Sequence, residues 1–357
     1  MDTQRTATVG LVLVGLLVGL AWPVIAPNDF ILDAGFLILM WMGLASAWNI
    51  IGGYTGYVSF GHVAFFGYGM FVTGLLTHAE SALPFFQRNI GVLNGGVGGV
   101  MSFLLVLLVG GLSSMVIAAI VAYPVLRLRG HYFAIAMLGI AEASGAIFLN
   151  YTPLQGAQGW QIPIIHPPVL ETGTFLYLVM FVVGVGTVVL SWLIKRSKIG
   201  YGLIAIREGE EAAKMLGVPV TRYKIYGFVL SAFPPGVIGA LYAYHVYLVT
   251  AHQAFVVTKT IDMIVVTLIG GLGTVTGPII GAIVFVGLQE IVLSDLLSWH
   301  LFVTGLLILG IVLGAPKGLV GIAEEFSDNG RILGVDVVGR IGLRSLTAES
   351  NEMEDEQ

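Results

Sequence analysis

The chain has 357 residues, of which 57% are hydrophobic and only 10% charged, and its mean hydropathy is +0.93. A soluble domain carries about 25% charged residues, so soluble, disordered and nucleic-acid-binding classes are excluded. The absence of Cys removes disulfides, thiolate metal sites and a Cys nucleophile, and the net charge of -5 acquires meaning only once the charges are placed along the chain.

A membrane helix needs about 20 mostly apolar residues, and ten stretches qualify. The first runs from Ala7 to Ala26 and stops at Pro27-Asn28-Asp29; it is read as a span, with a signal peptide as the alternative, since its flank holds one Arg5 and no small-residue cleavage pattern and cleavage would upset the charge count below. The second, Ile31 to Ile51, ends at Gly52-Gly53, and the third covers Tyr57 to Thr77. The long apolar stretch from Gly91 is read as one span, Met101 to Leu126, behind a Gly-rich lead. The fifth, sixth and seventh cover Tyr132 to Leu149, Phe175 to Ile194 and Ile225 to Leu248. The eighth and ninth flank the break Gly270-Gly271-Leu272-Gly273-Thr274-Val275-Thr276-Gly277-Pro278, and the tenth is Trp299 to Leu313. These runs are continuous, unlike the roughly ten-residue alternating segments of a β-barrel. The expected fold is therefore all-α: a polytopic membrane protein with about ten transmembrane helices.

Lys and Arg set the orientation. With the N-terminus inside, every Lys and Arg except Arg88 and Lys259 falls in a cytoplasmic segment, seven of them between Lys195 and Lys224. Both ends are thus expected in the cytoplasm. Residues 1–322 form the membrane domain, and 323–357, ending in Glu349-Ser-Asn-Glu-Met-Glu-Asp-Glu-Gln357, is an acidic, disordered cytoplasmic tail.

The loop from Lys195 to Lys224 is the informative segment. Glu210, Glu211 and Lys214 form i,i+3 and i,i+4 charge pairs. Ala212, Met215 and Leu216 make a small apolar face, Gly217 suits a C-cap, and Pro219 prevents continuation. The spacing predicts one short amphipathic helix from Arg207 to Val218. Such an element suits either a connector at the lipid headgroups or a rigid lever presented to a cytoplasmic partner.

Glu211-Ala212-Ala213 followed by Gly217 resembles the EAA-type coupling segment of ABC importer permeases. Ser197-Lys-Ile-Gly200, Ala205-Ile-Arg207-Glu208, Leu216-Gly-Val and Arg222-Tyr-Lys around it are similar to branched-chain amino acid permeases of the LivM type. So are Trp48-Asn49 through Gly61-His62, Leu126-Arg127 through Leu138-Gly139, Gly156 to Pro163, Phe228 to Ala243, the Gly270 to Pro278 break, and Gly314-Ala-Pro316-Lys-Gly318-Leu. Three features depart from the pattern: Gln155-Gly156 in place of Gly-Gly, Pro234-Pro235 inside the seventh span, and the acidic tail. The resemblance implies a plasma-membrane permease subunit without its own ATPase. It would work with a second permease, two ATP-binding subunits and an extracytoplasmic solute-binding protein, for branched-chain amino acids or for urea and short amides. On that reading Arg207, Glu208, Glu211, Ala212, Ala213, Leu216 and Gly217 couple the ATPase to the spans.

Ionisable residues within spans are functional by default, because their desolvation is costly. Glu142, near the middle of the fifth span, and His62, close after the first glycine break, are the candidates for the solute path. Asn49 joins them, either on the path or as a helix-to-helix hydrogen bond. Asp262 is read as an ion pair with Lys259 near the outer end. Gly52, Gly53, Gly270, Gly271, Gly273, Gly277 and Pro278 are candidate hinges, and Ile51-Gly52-Gly53 against Ile269-Gly270-Gly271 suggests a faint repeat. Gly156, Gly159 and Trp160 mark an outer loop suited to a gate or to docking a binding protein. No Gly-x-x-x-x-Gly-Lys-Ser/Thr phosphate loop occurs, so ATP hydrolysis belongs to partner subunits. The scattered His residues and the lack of His-Glu-x-x-His give no metal site, and no cofactor is expected. A secondary transporter would show buried carboxylates at matching places in two halves, and Glu142 has no evident mate.

Overall fold

A computed structural model of the protein describes residues 2–77, 97–150, 159–165, 167 and 170–292, with 305, 318–321, 331–332 and 335–336. The central element is helix α2 (Asp29–Thr55). Asn28 caps it by accepting from the Ile31 N–H, and nearly every residue from Ala34 onward is buried. A helix apolar on all sides belongs inside a bundle. Helix α1 (Asp2–Ile25) lies across its start: the Trp22 indole donates to Ile31 O at 3.0 Å.

Helices α3 (His62–Thr77), α4 (Val97–Val125), α5 (His131–Asn150) and α6 (Thr172–Arg196) follow. Two short helices, α7 (Lys198–Glu208) and α8 (Glu210–Met215), lead into α9 (Val220–Val246). Then come α10 (Ala251–Phe255), α11 (Thr258–Gly270) and α12 (Gly277–Val286), the last extended by a π-type turn over Gly287–Val292. Helix α9 packs on α4, α3 and α2, while α6 and the α11–α12 pair cover the remaining sides of α2. Small residues let α3 and α9 run almost backbone to backbone: a Cβ on Gly69 would overlap Gly236 O, and one on Gly239 would overlap Phe66 O. Such contacts replace the hydrophobic drive that lipid cannot supply. Pro234 and Pro235 lie within α9, which continues through them.

Among the described residues, six helical segments are long and apolar enough to cross a membrane, and three shorter apolar ones cover Leu13–Ile25, His62–Thr77 and Gly277–Gln289. The tenth expected span and most of the acidic tail lie outside the described residues. Within that tail, Arg331–Ile332 (β3) pairs antiparallel with Val335–Asp336 (β4).

Several boundaries differ from the sequence expectation. Gly52-Gly53 is no break: α2 continues to Thr55 and ends at Gly56, whose φ of 75° is the left-handed cap. Close approach explains Gly53, where a Cβ would strike the Asn49 side chain and lie 2.8 Å from Gly273 N. The third span starts at His62 and not at Tyr57, because residues 57–61 fold back along α2 and the Trp48 indole donates to Ser59 O at 2.8 Å. The eighth span is itself interrupted between Phe255 and Thr258. Lys259 consequently belongs to a helix and not to a loop. It precedes Gly270 by eleven residues, a rise of about 16 Å, or about half of a 30 Å hydrocarbon core. The expected Lys259–Asp262 ion pair does not form: none of the ion pairs among described residues joins them.

Candidate functional site: a lever at the basic end of the bundle

Arg127, Arg129 and the seven basic residues from Lys195 to Lys224 gather at one end of the bundle, where α7 and α8 lie. Ser197 starts α7, its hydroxyl accepting from Gly200 N at 3.3 Å. The single helix expected from Arg207 to Val218 is in fact two. The chain turns at Gly209, so Arg207 and Glu208 end α7 while Glu211, Ala212 and Ala213 sit on α8. The turn frees Arg207 to reach inward, donating to Gly53 O at 2.9 Å. Gly217 closes α8 with a φ of 81°, and the Val218 N–H donates to Ala213 O at 3.0 Å.

Glu210 joins α8 to the rest. Its carboxylate accepts from Lys224 Nζ at 2.7 Å and from the Tyr57 hydroxyl, and pairs with Lys214 at 3.2 Å. Arg129 adds contacts to Glu210 at 3.7 Å and to Glu211 at 2.6 Å. Lys224, in the first turns of α9, is 2% exposed, and its ammonium also donates to the Tyr57 hydroxyl at 2.6 Å. Burial alone would raise the Glu210 pKa; the bonds from Lys224 and Tyr57 outweigh it and hold the carboxyl down at about 2. Burial first, and then Glu210, push the Tyr57 hydroxyl up. Lys214 and Arg129 lower the exposed Glu211.

The outer surface of α8 has the opposite character. Of the apolar face expected from the sequence, Met215 is 89% and Leu216 84% exposed, and Ala212 is exposed too; Ala213 turns inward on Ile206 and Val220. Beside the lever a cavity of about 360 Å³ is lined by Thr55, Tyr57, His131, Ile206, Arg207 and Glu210.

Asn49 staples the α11–α12 turn to α2, and Lys195 of α6 and Arg207 of α7 bond to either side of the same junction. Asn49 is fully buried, its amide donating to Thr274 O at 2.7 Å while its oxygen accepts from Gly273 N at 2.9 Å. Lys195 donates to Gly273 O at 2.8 Å, next to the Arg207 contact on Gly53. The turn needs glycine at Gly271 and Gly273, with φ of 134° and 78°. Gly277 and Pro278 begin α12, and the Thr274 hydroxyl accepts from Gly277 N at 3.0 Å. The glycine motifs at 52–53 and 270–273 therefore face one another, with Gly318 packed on Gly271.

The remaining candidates are scattered. His62 is buried, its ring nitrogens bonded to the Ser59 and Ser231 hydroxyls at 3.0 and 3.1 Å. Glu142 points away from the bundle on the exposed face of α5. Trp160 is buried against Phe71 at 5.4 Å, in a two-residue strand (β1, Trp160–Gln161) paired with Leu248–Val249 (β2); Gly159 precedes it with a φ of 81°. Gly156 lies outside the described residues. Among the described residues no group of three or more His, Asp or Glu is placed to hold a metal ion.

The site thus combines a buried, charge-paired joint at Glu210 and Lys224 with an exposed apolar tip at Met215 and Leu216. The family described as the branched-chain amino acid transport system / permease component matches residues 30–312, and the chain belongs to that family of ABC transporter permeases. It is similar to the high-affinity branched-chain amino acid transport system permease protein LivM of Salmonella typhimurium, at 26% identity over 85% of this chain and 73% of the relative. The LivM of Escherichia coli is also 26% identical, over 87% of this chain and 74% of the relative. The autoinducer 2 import system permease protein LsrC of Enterobacter sp. is 24% identical over 62% of this chain and 64% of the relative. No solved structure matches the chain.

Proposed function

We propose that the protein is the permease subunit of an ABC importer for branched-chain or related amino acids in the cell membrane. It works with a second permease, two ATP-binding subunits and an extracytoplasmic solute-binding protein. The basic end of the bundle and both termini face the cytoplasm, as the Lys and Arg distribution favours. The observation that carries the coupling role is Glu210, which ties α8 to Lys224 on α9 and to Tyr57 before α3. Met215 and Leu216 seat α8 in an ATPase subunit. When the ATPases close on ATP, α8 is displaced and Glu210 passes the movement to α9 and α3. The Asn49 staple, flanked by Lys195 and Arg207, makes α2 and the α11–α12 turn follow together. The cargo reading is supported by the LivM relatives.

Proteoliposomes holding the complete transporter test this. Leucine uptake is expected to require internal ATP and external binding protein, to vanish when the ATPase is omitted, and to fall at least tenfold with Glu211→Arg. Uptake of urea but not leucine would keep the coupling and change the cargo. Uptake by this chain alone, driven by an ion gradient, would overturn the proposal.

A further inference from the structure

The discontinuity between α10 and α11 places two opposite charges about half-way through the bundle. Irregular backbone at that depth is tolerated only where it is buried in protein or lines a water-filled cavity. Lys259 and Asp262 are one helical turn apart on α11 and close enough to interact electrostatically, yet no ion pair joins them. Lys259 donates to Gln253 O at 3.0 Å, which leaves two of its three N–H groups without a hydrogen-bond partner among the described residues. Its ammonium stands 5.6 Å from both the Phe66 and Tyr242 rings, which lie 5.5 Å from each other. Asp262 accepts no hydrogen bond from a described residue and is half-buried, next to Ile261, which is 43% exposed. The charges therefore open onto the outer face of this subunit. Lipid there would leave both uncompensated at a cost of several kcal/mol, so that face borders a polar path or a second subunit.

The strip continues toward the far end. Tyr242 is followed at 5.9 Å by His245, which stacks on Phe36 at 4.2 Å and lies within electrostatic reach of Asp33. Charged and aromatic groups thus alternate from the start of α2 to the first turns of α11.

We propose that Lys259 and Asp262 recognise the solute within the translocation path, Lys259 receiving the carboxylate and Asp262 the ammonium of a zwitterionic amino acid, with the partly exposed Tyr242 ring against its apolar side chain and the fully buried Phe66 backing Lys259 from within the core. The inference rests on the importer reading and names a recognition step within it. The gap between the two charges is what it explains. A resident ion pair would need no ligand, whereas a zwitterion completes both halves and hides its own charges at the depth where they are most costly to expose.

The complete transporter in proteoliposomes provides the test, with leucine as probe and Lys259→Met, Asp262→Asn and the conservative Lys259→Arg as variants. Leucine moved per ATP is expected to fall at least tenfold for Met and Asn, and to be largely restored by Arg. Unchanged leucine per ATP in both neutral variants overturns the site while leaving the importer reading intact. Parallel loss of ATPase and uptake in an assembled complex also overturns it, because that is the signature of a structural role. Wild-type uptake of urea without leucine overturns the cargo reading itself and the zwitterion with it.

Discussion

Glu210 and Lys224 meet at 2.7 Å, and the Tyr57 hydroxyl closes the triangle by donating to one and accepting from the other. Three separate segments converge there: the link before α3, the start of α8 and the start of α9. Lys224 is almost wholly buried, and a buried ammonium persists only when its partners are complete. Lys224 also lies over the Tyr57 ring, 4.0 Å from its centre, so charge, hydrogen bond and ring face act on a single group. Glu210 thereby ties α8 to α9 and to residue 57 through one buried charge.

Removing the Glu210 charge should therefore cost more than an ordinary surface pair. Glu210→Gln leaves Lys224 buried without a counterion and is expected to lower stability by about 2–3 kcal/mol. Thermal unfolding of the purified subunit measures it. Glu210→Gln combined with Lys224→Met should recover part of that loss, and a strictly additive double variant would show that the two residues are not coupled.

The same joint has a defined acid limit. The Glu210 pKa is lowered from 4.5 to about 2, against the opposing effect of burial, by Lys224 and Tyr57. A carboxyl lowered on folding contributes stability that is complete above its unfolded value and lost as the pH falls through its folded value. The stability difference between wild type and Glu210→Gln should then be constant from pH 8 to about 5. It should shrink between about 4.5 and about 2. A difference that changes between pH 6 and 8 would assign it to another group.

How much of this was legible in the sequence depended on the range of the interaction. The i,i+3 and i,i+4 pairs among Glu210, Glu211 and Lys214 were readable because helical spacing alone sets them. Most span positions were readable too, since apolar length is a local property. Glu210 to Lys224 was not, because it bridges a turn at Gly217 and Pro219 with no periodicity, and neither was Asn49 to Gly273, which spans the chain. The glycine pairs were visible but open to two readings: close packing, not a helix break, explains Gly52 against the Trp48 ring and Gly53 against Asn49 and the α11–α12 turn. Lys259 was counted with the outside segments, near the outer end of a span, because a single basic residue beside a short polar stretch looks the same as a charge held deeper in the bundle.

Met215 and Leu216 separate docking from folding. Both side chains are almost fully exposed, so Met215→Ser with Leu216→Ser should leave the unfolding temperature of the isolated subunit unchanged within error. Co-purification of the ATPase subunit should fall at least tenfold, because exposed apolar anchors give most of their binding energy only when a partner covers them. A fall in unfolding temperature with normal co-purification would mean that the tip packs within this chain.

Two glycines distinguish helix contact from helix propensity. At Gly69 an added Cβ would collide with the Gly236 carbonyl and lie 3.0 Å from Ala240 N, both on α9, so backbone and not a flexible side chain must yield. Next to it the Thr73 hydroxyl contacts Ala240 O at 3.3 Å, a bond that lengthens if α3 and α9 are pushed apart. Gly69→Ala is expected to cost about 3 kcal/mol, at the upper end of overpacking. On α5 nothing lies within 4 Å of the corresponding position at Gly139. There the intrinsic preference of Ala for helix should win, and Gly139→Ala in the isolated subunit should be neutral or stabilising by up to about 1 kcal/mol. Thermal unfolding of both variants side by side is the check: equal effects would mean that α3 and α9 are not in backbone contact.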